Sequence, residues 1–547
     1  MEASASALRL SELDVLVVDC QATAVASRGH LLEIGWARAG AALTPPTAYL
    51  IAMPDGARIP PAVARITGIT DRMMRAGLEP GAAWRALAAT ASTITSQPAP
   101  TIIHFARFEE PFLRRLAGGA PPLDVVCTHA IAQRLLPDLP RRSLRALAGY
   151  FGRAVGALRR SADHVDATSF VWRQLVPLLE AEGVSTWNEL KTWLLTTAPT
   201  RSRRRVWPMP PEIRLNLPDA PGIYRMLRTG GEVLYVGKAA SLYHRVNSYF
   251  RHQHGVPERM LEMLSQARAI SFDVTPSALE AALLEADEIK RLQPPYNIAL
   301  TDGDRHVWFA APNLGHHSPQ RSARCPVGPF PSAEMLDQFA ALTQGSRASV
   351  GRGRWAPELA VFDEGCARFR AAHLELSLNE LPMAARLLRL GRRLWREGRR
   401  DRDADADEAI GSERRVATWT PGDVQRSLEW LVIRAALARR RATWLTRLAD
   451  ATVAWQEPGA GQPRTIVVEN GEVRTVEEAD GEPAVPPGYR RSAMARREAF
   501  TLARFDRLRV LTTELKRLSS AGAPVAVRFG TSPPTAGVRL ASLLAWL

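Results

Sequence analysis

A chain of 547 residues has room for roughly three or four domains and several buried cores. With 46% hydrophobic and 23% charged residues it is ordinary globular material. Wholesale disorder, collagen and coiled coil are excluded, and no apolar run approaches the length of about 18 residues that a membrane-spanning helix needs.

The N-terminal residues include Glu2, Arg9 and Glu12, which break the apolar run a secretory signal requires. VLVVD at 15–19, HLLEIGWARAG at 30–40, YLIAMP at 49–54 and TIIHF at 101–105 predict strands. Helical patterns fall in AAWRALAATAS, EPFLRRLAG and SLRALAGYFG, and in a longer stretch from Asp163 to Glu182, so residues 1–185 read as an α/β sheet domain. Residues 186–212 read as a basic Pro/Arg linker, because PTRSRRRVWPMPPE holds four prolines and four arginines without periodicity. A compact α+β unit is expected over 213–300 and a Gly-, Pro- and His-rich connector over 301–345. A basic, mostly helical region follows over 346–547, where Asn470-Gly471 in RTIVVENGEVRTVEE predicts a β-hairpin.

Net charge is +15, which suggests a polyanionic partner. Only Lys191, Lys238, Lys290 and Lys516 are lysine, however, and such an arginine bias also follows from a GC-rich genome. The distribution says more: +3 over 1–185, +4 over 186–210, zero over 211–300 and +8 over 301–547. Cys20, Cys127, Cys325 and Cys366 form no CxxC pair, so the chain reads as reduced and cytoplasmic, without structural zinc.

Leu217 to Asn297 carries the chemistry. Gly222-Ile223-Tyr224 and Tyr235-Val236-Gly237 are two strand cores joined by a TGG turn, so two phenols converge on one face. Lys238 ends the second strand, Arg245 lies on the next helix, and Glu285 lies in the helical ALLEADEI. Two phenols, two cations and one carboxylate suit a single-metal phosphodiesterase. Singly, each has a structural explanation: cross-strand packing for the tyrosines, an exposed pair with Lys290 or Arg291 for Glu285, and bias for Arg245.

Their joint order and spacing resemble the GIY-YIG nuclease domain, above all that of the excision-repair nuclease UvrC and its smaller relative Cho, over about residues 215–300. The matching pieces are PGIY, YVGK for YIGK, RVxSYF and LLExxxIKxxxPxYN. The resemblance implies a DNA incision dependent on Mg²⁺ or Mn²⁺. In it Tyr224 activates water, Tyr235 and Lys238 line the phosphate, Arg245 clamps it, Glu285 holds the metal and Asn297 closes the site. Asp287 departs from the usual asparagine. CPVGPFPSAEMLDQFAAL at 325–342 resembles the GPYPS segment that follows the nuclease in UvrC. The region beyond has neither the acidic cluster of UvrC's second nuclease nor a helix-hairpin-helix clamp, which implies one incision rather than two.

Residues 13–180 resemble the DnaQ-like 3′–5′ exonuclease family, which implies an RNase H-like fold. The matches are VVDCQATA, IPPAVARITGITDRM, IHFARFEEPFL and SADHVDATSFVW. Family chemistry uses two metal ions, four carboxylates and a histidine base. Asp19 and Asp166 match, but Gln21 replaces a glutamate, Glu109 an aspartate, Phe105 an asparagine and Ser161 the histidine. His164 stands three residues beyond the histidine's place, and Ser161 is a helix N-cap candidate. A neutral amide at 21 cannot draw two cations together, so Asp19, Glu109 and Asp166 are expected to hold one ion weakly. The domain then grips a DNA end with little exonuclease activity.

Arg201, Arg203, Arg204 and Arg205 are candidate phosphate contacts in the linker, or a solvated hinge. The helix from Arg386 to Arg402 holds eight arginines beside Leu387, Leu388, Leu390, Leu394 and Trp395. These arginines either line DNA or pair with the acidic run Asp401 to Glu408. The expected architecture is multidomain α/β and α+β: an RNase H-like exonuclease fold, a small GIY-YIG domain, then a mostly helical C-terminal region with a β-hairpin. The expected function is a DNA repair nuclease of the nucleotide-excision type in the cytoplasm, nucleoid-associated, with no membrane partner. Its substrate is damaged or branched duplex DNA, and its partner is a UvrB-like damage-recognition protein. The rivals are a dual endonuclease and 3′–5′ exonuclease (DNA polymerase III epsilon-like), and a non-enzymatic DNA-binding adaptor.

Overall fold

The computed structural model describes residues 8–40, 44–94, 98–199, 205–251, 255–301, 305–345, 357–377, 381–400, 419–457, 463–475, 500–530 and 532–545. The chain forms two compact units, one of residues 1–275 with 294–297, the other of 276–293 with 298–547.

In the first unit, β1 (Val15–Ala22) is buried over its first six residues, as the centre of a doubly covered sheet requires. It pairs antiparallel with β2 (Leu31–Ala39), and β2 with β3 (Thr47–Leu50). On its other side β1 runs parallel to β4 (Ala99–Ile103), and β4 to β5 (Leu123–Cys127). The order β3-β2-β1-β4-β5 is an RNase H-like mixed sheet. Parallel neighbours need crossovers. Helices α1 (Pro61–Thr67), α2 (Asp71–Met74) and α3 (Pro80–Ser92) make the first, and α4 (Ala106–Ala117) makes the second. Helices α5 (Thr128–Leu135), α6 (Leu144–Tyr150) and α7 (Ser161–Ala181) follow. The start of the expected linker holds a further helix, α8 (Trp187–Thr196), opened by a Thr186/Glu189 capping box. Trp187 and Leu190 bury it in the core with Trp172 and Leu175.

The rest of this unit is a three-stranded antiparallel sheet in the order β7-β6-β8. Its strands are β6 (Gly222–Leu227), β7 (Val233–Ala239) and β8 (Ala269–Val274), with α9 (Pro211–Leu215), α10 (Leu242–Arg251) and α11 (Glu258–Leu264) around them. Tyr224 and Met226 lie in its core with Leu242, Val246 and Phe250.

The second unit opens with α12 (Ala278–Leu292). A small sheet of β9 (Trp308–Ala310), β10 (His317–Ser318) and β11 (Val327–Phe330) precedes α13 (Glu334–Thr343), α14 (Leu359–Ala372), α15 (Met383–Arg400) and α16 (Pro421–Leu448). The predicted hairpin is β13 (Arg464–Glu469) and β14 (Glu472–Thr475), with φ of 50° at Asn470 and 80° at Gly471, as its turn requires. It is part of a five-stranded antiparallel sheet that the sequence did not reveal. The other strands are β12 (Ala451–Trp455), β15 (Val525–Phe529) and β16 (Thr535–Ala536), and α17 (Leu502–Ser520) and α18 (Gly537–Leu544) complete the layer. Arginine-rich α15 buries Leu387, Leu388 and Leu390, while Arg393 pairs with Glu375 and Glu397. The acidic run 401–408 lies outside the described residues. Among those described, no helix is long and apolar enough to cross a membrane. The four cysteines are free thiols.

Candidate nuclease sites

The register of the β6/β7 hairpin sets Tyr224 opposite Gly237 and Met226 opposite Tyr235. Side chains alternate along strands, so Tyr224, Tyr235 and the bare Gly237 share one face. A Cβ on Gly237 would stand 2.4 Å from the Tyr224 hydroxyl and 2.8 Å from the Tyr235 ring, so the glycine is what admits both phenols. The ring centroids are 6.2 Å apart. Helix α10 adds Tyr249, which the sequence reading missed. Its hydroxyl is 2.7 Å from that of Tyr224, and the Arg245 guanidinium lies 5.0 Å over its ring. Burial, then Tyr249 and Tyr235, push the Tyr224 phenol well above its ordinary range, while Arg245 pulls it down. Gly237→Ala should therefore cost about 1–3 kcal/mol of overpacking, read as a lower urea midpoint. An unchanged midpoint would show that the two rings have slack.

Asn297 is buried and fully committed to the backbone. Its Oδ1 accepts from Val236 N–H (3.0 Å) and its Nδ2 donates to Val236 C=O (2.9 Å), clipping the segment after α12 to β7. Lys238 pairs with Ile223, so it lies on the other face of the pleat from the tyrosines. Glu285 is half-buried on α12, in the second unit. Of the linker arginines, Arg205 is half-buried, and Arg201, Arg203 and Arg204 lie outside the described residues.

The RNase H-like sheet carries a cavity of about 1630 Å³ lined by Asp19, Gln21, His104, Glu109, His129 and His164. Both oxygens of buried Asp19 are engaged: Gln21 Nε2 donates to Oδ2 (2.9 Å), and His164 Nδ1 is 3.2 Å from Oδ1. His164 therefore does enter the site, contrary to its sequence position. Burial opposes its charge, but Asp19, helped by the Leu158 backbone and Asp163, raises its pKa above the ordinary value. Glu109 accepts from Cys20 N–H (3.0 Å), and burial followed by Asp19 drives its carboxyl well above the usual range. His104 binds the Thr128 hydroxyl (2.8 Å) and burial pushes it down to about 3; His129 falls to about 4, again by burial. Both imidazoles stay neutral.

Asp166 does not join this group. It lies outside the cavity lining and forms an ion pair with Arg153. Ser161 is the first residue of α7, with Arg160 at the N-cap position. It is fully buried, and a Cβ on Gly35 would stand 2.8 Å from its Cβ. Glu33, which the sequence reading also missed, pins this helix start by accepting from Ser161 N–H (2.8 Å) and Arg160 Nε (2.9 Å). Two metal ions do not fit this set. The amide at 21 is neutral and turned to Asp19, Asp166 is elsewhere, and the described residues hold no cluster of three or more His, Cys, Asp or Glu that can hold an ion.

Residues 220–298 match the family model of the UvrC-like GIY-YIG domain. This segment is a UvrC-like GIY-YIG domain. The match runs through the tyrosine-bearing sheet, α12 and Asn297. A Mycobacterium tuberculosis protein named as a candidate bifunctional exonuclease/endonuclease, MT2247, is 31% identical over 361 residues, 62% of this chain and 53% of its own length. UvrABC system protein C of Gluconobacter oxydans is 41% identical over 138 residues, 24% of this chain and 21% of that protein. The chain thus spans about half the length of the first relative and a fifth of the second. The magnesium-bound N-terminal endonuclease domain of UvrC from Thermotoga maritima is 32% identical, with all of it and 16% of this chain covered at a TM-score of 0.15.

Proposed function

We propose that this chain is a DNA repair nuclease that makes one metal-dependent phosphodiester incision through its GIY-YIG domain. The cluster of Tyr224, Tyr249, Tyr235 and Arg245 around Gly237 supports this reading, because packing alone does not require phenol hydroxyls 2.7 Å apart beneath a guanidinium. Glu285 offers one carboxylate, a hard donor suited to Mg²⁺ or Mn²⁺ that keeps most of its waters. When bound, the ion supplies positive charge to the phosphodiester and to a water. Tyr224 is held protonated by burial, so it takes a proton from water only as its own passes to the Tyr249 oxygen, while half-buried Tyr249 releases its own proton to solvent. Arg245 neutralises charge on the phosphate, Tyr235 lines it, and Asn297 holds the strand that carries Tyr235, whereas Lys238, on the opposite face of the pleat, takes no part in this cluster.

The RNase H-like domain, in this reading, binds a DNA end or strand without cutting it. The work takes place in the cytoplasm at the nucleoid, on damaged or branched duplex, alongside a UvrB-like loader. The test is nicking of a labelled damaged duplex, with and without Mg²⁺ and with and without such a loader. No metal-dependent nick under any of these conditions would leave the adaptor reading in first place.

Linker binding is tested separately. Neutralising Arg201, Arg203, Arg204 and Arg205 should weaken DNA affinity for all sequences alike and flatten its salt dependence by about one unit of slope per lost contact. An unchanged slope would make the linker a hinge.

A further inference from the structure

The C-terminal unit grips the helix that carries Glu285. At its start, Ala278 N–H donates to Glu457 (3.2 Å), and Glu280 accepts from Arg464 (2.7 Å). Leu279 and Leu283 are buried in one core with Leu508, Leu511 and Leu515 of α17. Farther along, Asp287 accepts from Arg507 through Nη2 (2.6 Å) and Nε (3.0 Å), and Lys290 meets Asp506 at 2.9 Å. Asp506 is 1% exposed and also takes Arg305 at 2.7 Å and Arg509 at 3.6 Å, so its buried charge meets three cations.

Leu279, Leu283, Asp287 and Lys290 recur at i, i+4, i+8 and i+11, one face of a helix. Glu285 is two residues from both Leu283 and Asp287, about 200° around the axis, on the side away from α17. A single contact leaves a helix free to turn about its axis. Two ion pairs and two buried leucines along one face do not. What α17 fixes is therefore the rotation of α12, and with it the direction in which Glu285 projects. The arrangement also accounts for Asp287, the one departure from the usual pattern beside the metal carboxylate, since a carboxylate there answers the Arg507 guanidinium.

We propose that Arg507 and Asp506 of α17 are positioning residues for the incision, which gives the C-terminal unit a part in the chemistry: it aims Glu285. The proposal rests on Glu285 being the metal carboxylate. In the full chain, Arg507→Ala should weaken Mn²⁺ binding, followed by loss of the free-ion EPR signal, and lower kcat, each by roughly 10- to 100-fold, with the KM for DNA unchanged. Arg507→Lys should recover part of both, and the exchange Asp287→Arg with Arg507→Asp more. Asp287→Asn, which keeps an acceptor and the side-chain size, gives the milder version should Arg507→Ala fail to fold. A merely structural contact would lower thermal stability and leave Mn²⁺ affinity and kcat per folded molecule unchanged. That result in Arg507→Ala or Asp287→Asn, alongside an inactive Glu285→Gln, overturns the positioning role alone. Nicking by Glu285→Gln at the parent rate overturns the site reading as well.

Discussion

Glu285→Gln is expected to lower metal-dependent nicking by roughly 10³-fold or more while DNA affinity stays within a few-fold. The substitution keeps the side-chain volume and one carbonyl oxygen but removes the negative charge that, in the proposed reading, anchors the ion. A metal's charge stabilisation is worth several kcal/mol in the transition state, and about 4 kcal/mol corresponds to that rate loss. Affinity should survive, because protein–DNA affinity comes mainly from basic side chains on the phosphates rather than from a carboxylate. The two effects are separated by measuring nicking rate and duplex affinity on one preparation. Nicking at the parent rate would remove Glu285 from the role, and equal loss of affinity and rate would point to a folding defect.

The nuclease domain was legible because its function depends on local order. Tyr224, Tyr235, Lys238 and Arg245 sit at fixed spacings on a hairpin and the helix after it, so short pieces of sequence specify how they lie. Tyr249 was missed although it stands four residues from Arg245, because a tyrosine on an amphipathic helix reads as packing. The 2.7 Å contact with Tyr224 and the Arg245 guanidinium over its ring mark it. Strands β5 and β8 were missed for a different reason. LDVVC and AISFDV are short runs without turn signals, and each becomes a strand only because a distant neighbour, β4 or β6, offers it a ladder. The sheet of the second unit was hidden in the same way, since β12 and β15 pair across about seventy residues of chain. In the exonuclease-like cavity the lost positions were legible one by one. What replaced them was not. That His164 turns to Asp19 while Asp166 turns to Arg153 depends on the pitch and placement of α7, which spacing alone does not give.

Stepwise release of nucleotides from a 3′-recessed or single-stranded end should be at background for the intact chain, and the geometry says why simple repair will fail. Gln21→Glu restores the missing charge, but sets it beside Asp19 and a Glu109 that burial already holds toward its neutral form. Without an ion, that is repulsion in a buried place. Ser161→His puts back the residue type the fold's chemistry uses, yet position 161 is fully buried against Gly35, so the imidazole overpacks the helix start by about 1–3 kcal/mol. Nor does either change bring Asp166 away from Arg153. The double variant should therefore remain inactive and show a lower urea midpoint, whereas Gln21→Glu with Arg153→Leu, which frees Asp166, is the pair with a route to weak activity. The measurement is a time course on an end-labelled strand in Mg²⁺ or Mn²⁺, with Asp19→Asn as control. Robust digestion by the intact chain, abolished in Asp19→Asn, would mean that Asp19, Glu109 and His164 suffice, and the dual-nuclease reading would then take precedence.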